Sequence, residues 1–299
     1  MAWKSFLIGA MASVLVSGCT TVPQNPLGAE AGDLKGGVAA MKEIMARKDR
    51  IVHVSSPETD GGKPVLLLLH GATDDPTEMM DIVREWRGKY AVYLYAYDYH
   101  RRVQTVAADF VNEFTGLREE KSFGGGGVTI VVYSYAAIVF REAVISAEDR
   151  TLFSEASLIQ LVPTAGGSFL ARGVKNPVAA WVVSLFSHQT HAVNPYGGFA
   201  EQLWAGAGNQ KFYEVMNPGR VHSILVEGDP HSLAGIADLD VRARYHNGIG
   251  PNVVMIPKSA GVTHDYFPTQ PVALAYLRKQ LEPSVADAIH DRLQMAARK

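Results

Sequence analysis

Cysteine is nearly absent. Cys19 is the single one in 299 residues, so the remainder of the chain carries no disulfide and no thiol. Charge is scarce and balanced, with 28 Lys and Arg against 30 Asp and Glu and a formal net charge of −2. No basic run or Lys/Arg stripe supplies the electrostatic footprint that nucleic acid requires. No acidic tail suggests a solvating or metal-buffering segment either. The apolar run near the N-terminus, Phe6 to Val16, is about 11 residues long, against the ~20 that cross a bilayer as a helix. What is abundant is apolar side chain. At 47% hydrophobic and 19% charged, the chain lies far from the disordered class and can bury a sizeable core. Its length suits one large α/β domain or two ordinary ones.

Lys4, the apolar run and the small residues ahead of Cys19 have the order of an export leader. Val16-Ser17-Gly18-Cys19 resembles a bacterial lipobox, in which cleavage before the cysteine leaves it as the acylated first residue. That resemblance implies a signal peptide over 1–18, lipidation at Cys19, and attachment to a membrane of the cell envelope through the lipid. Thr20, not Asp, follows the cysteine; by resemblance to Gram-negative lipoproteins this favours the outer membrane. Residues 19–33, with Pro23 and Pro26, read as a tether, and 34–299 as the folded domain. A short amphipathic helix over Leu34–Lys48 opens that domain.

Beyond it the pattern becomes regular. Val65–Leu69 is a continuous apolar run, as expected of a strand covered on both faces of a parallel sheet. Helix is expected over 76–88 and 103–117, and strand over 51–54, 90–97 and 128–133. Helix 136–146 and strand 156–162 continue the alternation. It then stops between about 164 and 219, where the apolar stretch Pro177–Phe186 and several aromatic residues suggest a helical cap. Packing is the default for that stretch, and a membrane-leaning lid is the alternative. Strand 221–226, a helix near 238–246, strand 253–257 and helix 270–281 follow, with a polar closing helix over 284–298. Alternation of this kind defines an α/β class with a doubly wound, mostly parallel sheet. The Gly124–Gly127 run precedes a strand, so it is a loop and not a phosphate cradle.

Three positions at strand ends carry chemistry. In Val132-Tyr133-Ser134-Tyr135-Ala136 a serine sits at a strand-to-helix junction, where a nucleophile elbow exposes Oγ above a helix N-terminus. Ala136, with Ala137 behind it, stands at the second glycine position of G-x-S-x-G; Val132 at the first is a departure from that pattern. An ordinary N-cap serine is the competing reading. Leu68-Leu69-His70-Gly71-Ala72, directly after a buried strand, is similar to the His-Gly oxyanion loop of lipases and esterases. The N–H of Ala72 (or Thr73) and that of Tyr135 would be the two oxyanion donors, with His70 structural. His264, in Gly261-Val262-Thr263-His264-Asp265, lies between the last strand and the last long helix and outranks the other nine histidines as the base. Asp229, just after strand 221–226, is the favoured acid. Asp238 and Asp240 remain alternatives, and Asp229 could instead cap the turn before Pro230.

Taken together, the order of elements, the His-Gly loop, the serine elbow and the late histidine resemble the α/β-hydrolase superfamily over roughly residues 50–282. The resemblance implies a serine hydrolase acting on a small-molecule or lipid ester through an acyl-enzyme, without a cofactor. An acyltransferase or thioesterase on the same residues is a second expectation. A hydrolase-fold binding protein without catalysis is a third, for which Val132 speaks. His188 and His191 have metal-ligand spacing, but no carboxylate or thiol accompanies them, and no metal site is expected.

Overall fold

The computed structural model describes residues 50–55, 60–72, 76–99, 101–120, 127–164, 207–229 and 252–281. The leader, Cys19, the tether and the helix expected over 34–48 lie outside these residues. So do most of the cap, His188 and His191, Asp238 and Asp240, and the closing helix.

Among the described residues, seven strands form one sheet. They are β1 (Arg50–His53), β2 (Val65–Leu69), β3 (Ala91–Ala96), β4 (Val128–Tyr133), β5 (Ser157–Leu161), β6 (Val221–Val226) and β7 (Asn252–Ile256). The spatial order is β1-β3-β2-β4-β5-β6-β7. Strands β2 to β7 run parallel, and β1 pairs antiparallel with β3. The sheet is therefore the doubly wound, mostly parallel one expected from the sequence. β2 reads as an unbroken apolar run because both faces are covered there: all five of its residues are buried.

The pleat sorts these side chains into two layers. Leu67, Leu69, Tyr95, Ile130, Val132 and Leu158 face a layer shared with α2 (Val103–Glu120), α3 (Ala136–Ser146) and α4 (Ala207–Val215). Leu66, Leu68, Leu94, Val131, Tyr133 and Ile224 face the opposite layer, with α1 (Met80–Trp86) and α5 (Pro271–Leu281). Helix α1 is shorter than the expected 76–88, because its first turn, Pro76–Met79, is a 3-10 helix.

Within the stretch 164–219 where the alternation stops, residues Ala207–Val215 form α4; its Phe212 and Val215, and Met216 just beyond it, are buried in the layer with α2 and α3. The i, i+3, i+4 spacing of those three residues explains the placement. Arg141 of α3 lies over the Phe212 ring at 4.8 Å, and burial pushes its guanidinium down to about 9, a shift that Tyr213 opposes.

The chain switches direction across the sheet at β2: β3 lies on one side and β4 on the other. Ligands of open α/β sheets bind beyond the carboxyl ends of strands at such a point, which is where the residues of interest gather.

Candidate active site

Parallel register brings the first two pieces together. Leu69 pairs with Val132, so Gly71 and Ser134, each two residues further on, leave the sheet at the same level. Ser134 follows β4 directly and only Tyr135 separates it from α3, which leaves a single tight turn in which to reverse. The turn is left-handed, with φ 50° at Ser134, a conformation that L-residues other than Gly, Asn and Asp rarely adopt. Hydrogen bonds hold it: Ser134 N–H donates to Leu161 O at 2.9 Å, and Ser134 O accepts from Ala137 N–H at 3.2 Å and Thr164 N–H at 3.3 Å. Small residues follow because α3 must start close against the sheet, and Ala136 and Ala137 are buried. The positive end of the α3 dipole therefore lies beneath Ser134.

His264 and Asp229 reach the same point from β7 and β6. Ser134 Oγ and His264 Nε2 are 2.7 Å apart. His264 Nδ1 and Asp229 Oδ2 are also 2.7 Å apart. The carboxylate accepts only, so Nδ1 carries the proton and Nε2 is left to accept from the Ser134 hydroxyl. All three residues are buried: Ser134 is 8% exposed, His264 9% and Asp229 4%. The sequence-predicted Ser134, His264 and Asp229 thus form one hydrogen-bonded chain. Ala72 follows Gly71 in the loop after β2 and packs against the sheet layer that includes Val132. Tyr135 caps the N-terminus of α3.

Strain clusters here. Among the described residues the non-glycine positive-φ positions are Ser134, Val162 (φ 38°) and Tyr266 (φ 56°). They follow β4, β5 and the His264 turn. Such conformations persist where the surroundings impose them, and they gather at functional sites.

His70 is not part of the chain. It is buried, accepts from Tyr97 N–H on Nε2 at 3.2 Å, and hydrogen-bonds Gly71 O through Nδ1 at 2.9 Å. Its ring stacks on Tyr97 at 4.2 Å, and the Tyr97 hydroxyl donates to His70 O at 2.5 Å. Both nitrogens are committed, which makes His70 the structural residue expected of it.

Two residues that the sequence pattern does not single out shape the loop. Glu78 is buried and its carboxylate accepts from Gly71 N–H at 2.8 Å. Tyr133 lies beside Gly71 so closely that a Cβ there would meet its ring carbons at 2.9 Å, which is why position 71 is glycine. The signal for Glu78 was its place in the first turn after the loop. Tyr133 offered none beyond being an aromatic at a strand end.

A second grouping of the same residue types stands beside the amino end of β3 and is wired differently. Ser55 Oγ donates to Asp60 and accepts from Val92 N–H, and His53 and Lys63 each reach Asp60 at 2.9 Å. With its hydroxyl bonded on both sides, Ser55 is a tie between chain segments. Burial would raise the Asp60 carboxyl, but the hydrogen bonds from Ser55, Lys63 and His53 outweigh it and hold it below the ordinary value.

No metal-holding group of His, Cys, Asp or Glu occurs among the described residues. No helix among them is long and apolar enough to cross a membrane.

No protein-family model matches the sequence, and no curated protein matches it. Solved structures do. Aspergillus fumigatus lipase B superposes with a TM-score of 0.50 at 12% identity, over 75% of this chain and 54% of that one. The propeptide form of the Bacillus licheniformis lipase BlEst2 gives 0.46 at 18% identity, over 61% of this chain and 40% of that one. Carboxylesterase CesB from Bacillus subtilis gives 0.45 at 11% identity, over 84% and 98%. The chain thus spans 40% of the Bacillus licheniformis lipase and 54% of the Aspergillus lipase. Together with the sheet order, the Aspergillus likeness defines an α/β-hydrolase fold; at this identity it assigns no activity.

Proposed function

We propose that the protein is a serine ester hydrolase in which Ser134 is the nucleophile, His264 the base and Asp229 the acid. The observation that carries this reading is the hydrogen-bonded chain from Ser134 through His264 to Asp229, hung on a left-handed serine between β4 and α3. A bland N-cap serine needs neither the strained φ nor a buried imidazole at 2.7 Å.

In this reading His264 Nε2 takes the Ser134 proton as Oγ attacks the ester carbonyl carbon. Negative charge gathers on the carbonyl oxygen, for which the N–H groups of Ala72 and Tyr135 are the proposed donors, at the α3 N-terminus. The imidazolium, steadied by Asp229, then returns its proton to the leaving alkoxide, and the acyl group stays on Oγ. Water attacks next, His264 takes its proton, and collapse releases the carboxylic acid and restores the serine. Every proton in the cycle moves through one imidazole, so neither metal nor cofactor is needed.

The substrate is proposed as a small-molecule or lipid ester met at a membrane, with acylated Cys19 as the anchor in the cell envelope. Purified full chain in detergent, given p-nitrophenyl esters of graded acyl length with and without alcohol acceptors, tests the chemistry. Free acid as the main product, lost by ~10³-fold or more in Ser134→Ala, is expected. New ester in preference to acid moves the reading to a transferase, and hydrolysis that survives Ser134→Ala sinks it. For the anchor, Cys19→Ala should abolish incorporation of a palmitate label and release the protein from the membrane fraction. Unchanged labelling contradicts it.

A further inference from the structure

We propose that Tyr133 is a positioning residue, a buried strut that fixes the His264 turn against the loop carrying Gly71 and Ala72. The inference rests on the reading of Ser134, His264 and Asp229 as the reacting chain. It adds a residue that touches neither substrate nor the reacting atoms.

The strut has two ends. At one, the Tyr133 hydroxyl donates to the backbone carbonyl of His264 at 2.7 Å. At the other, the ring lies where a Cβ on residue 71 would come within 2.9 Å of two of its carbons. The Gly71 N–H is held by the Glu78 carboxylate at 2.8 Å, and the same carboxylate oxygen lies 3.4 Å from where that Cβ would stand. The loop is thus held by a phenol ring in close contact and by a carboxylate, and the same phenol pins the backbone of the histidine.

The pin is buried, whereas the side-chain ties that Gln270 makes to the same turn are exposed. Tyr133 is 4% exposed. Gln270 also holds this turn, through Thr263 N–H and through the carbonyls of Thr263 and Asp265, but those bonds are exposed. Exposed bonds exchange with water and hold position weakly, whereas a buried bond has no such substitute. Burial also pushes the Tyr133 phenol well above its ordinary value, with the Glu78 carboxylate adding to the effect. The group therefore stays a protonated donor throughout the working range.

The geometry explains why a large residue stands directly before the serine. Ser134 alternates away from Tyr133 along the chain, so the ring points into the layer with Val262 and Phe267, beneath the turn that presents His264. Removing the hydroxyl leaves the His264 carbonyl its 3.2 Å bond from Phe267 N–H. Tyr133→Phe should therefore fold, yet let the histidine wander from its two 2.7 Å contacts.

The test uses the full chain in detergent. Proton NMR of the wild type should show a slowly exchanging, far-downfield imidazole proton from His264 Nδ1 on Asp229, assigned by its loss in His264→Ala. In Tyr133→Phe this resonance should broaden away, and kcat on a p-nitrophenyl ester should fall about tenfold with KM unchanged. A variant that keeps both the resonance and kcat overturns the proposal while leaving the ester-hydrolase reading intact. Loss of the resonance in a protein whose wild type hydrolyses no ester keeps the strut and removes that reading instead.

A second comparison decides the matter if Tyr133→Phe fails to fold. Gly71→Ala should lower kcat about 100-fold where Tyr133 is present. In a Tyr133→Leu background, where the ring is gone, the same change should cost less than about threefold. Equal losses in the two backgrounds overturn the proposal.

Discussion

Replacing Asp229 with Asn changes one atom, and the site's geometry turns that change into a large effect. Asp229 Oδ2 accepts the Nδ1 proton of His264 at 2.7 Å, and its side chain is 1% exposed. Two consequences add. The charge-assisted bond that steadies the imidazolium is worth about 1.5–3 kcal/mol, which is roughly 10- to 150-fold in rate. An Asn that turns its NH₂ toward Nδ1 also forces the imidazole proton onto Nε2. That nitrogen then faces Ser134 Oγ as a donor and cannot take its proton. The two effects together place the fall in kcat near 10⁴-fold, about 5.5 kcal/mol, with KM little altered. Stopped assays on a p-nitrophenyl ester measure it, with circular dichroism to show that the fold is retained. Parallel Asp238→Asn and Asp240→Asn variants complete the set and should keep wild-type rates. An Asp229→Asn enzyme within tenfold of wild type refutes the reasoning, and a matching loss at Asp238 or Asp240 would move the acid there.

Other perturbations separate the strain, packing and charge in the fold. Ser134→Gly should be inactive yet melt above Ser134→Ala by about 2–4 °C, since glycine relieves a left-handed conformation costing about 1 kcal/mol; equal melting temperatures would deny the strain. Val132→Gly, which restores the usual elbow glycine, should destabilise by about 2–4 kcal/mol through lost side-chain burial and backbone entropy. It should not raise kcat, as urea unfolding and ester assays would show. Asp60 is held below its ordinary value when folded. The stability it contributes is therefore present above its unfolded value of about 3.9 and lost as pH falls through the lower folded value. Asp60→Asn should lower the melting temperature at neutral pH and flatten its decline between about pH 5 and about pH 3, and parallel curves would contradict this.

Strand positions were legible because burial on both faces leaves an unbroken apolar run in Val65–Leu69 and a run rich in β-branched residues in Val128–Tyr133. Sheet order was not, and neither was the antiparallel sense of β1, since pairing partners leave no trace in a four-residue strand. Ser134 and Asp229 stood out by topology, each immediately beyond a strand. Tyr133 and Glu78 did not, because their roles depend on contacts made only when the chain is folded, one of them 131 residues away in sequence. Val132 is the instructive case. As a departure from the elbow pattern it favoured a protein without catalysis. In the structure it is a fully buried strand residue facing the layer with α2 and α3, while Ala136 and Ala137 keep the helix close.

Whether Ser134 is an activated nucleophile is decided most directly by treating the full chain with a fluorophosphonate probe and mapping the adduct by intact and peptide mass. Stoichiometric modification of Ser134, absent in Ser134→Ala and strongly slowed in His264→Ala, is the result expected. A folded protein that stays unmodified with and without detergent, or carries the adduct elsewhere, would contradict the account and leave a hydrolase fold used for binding.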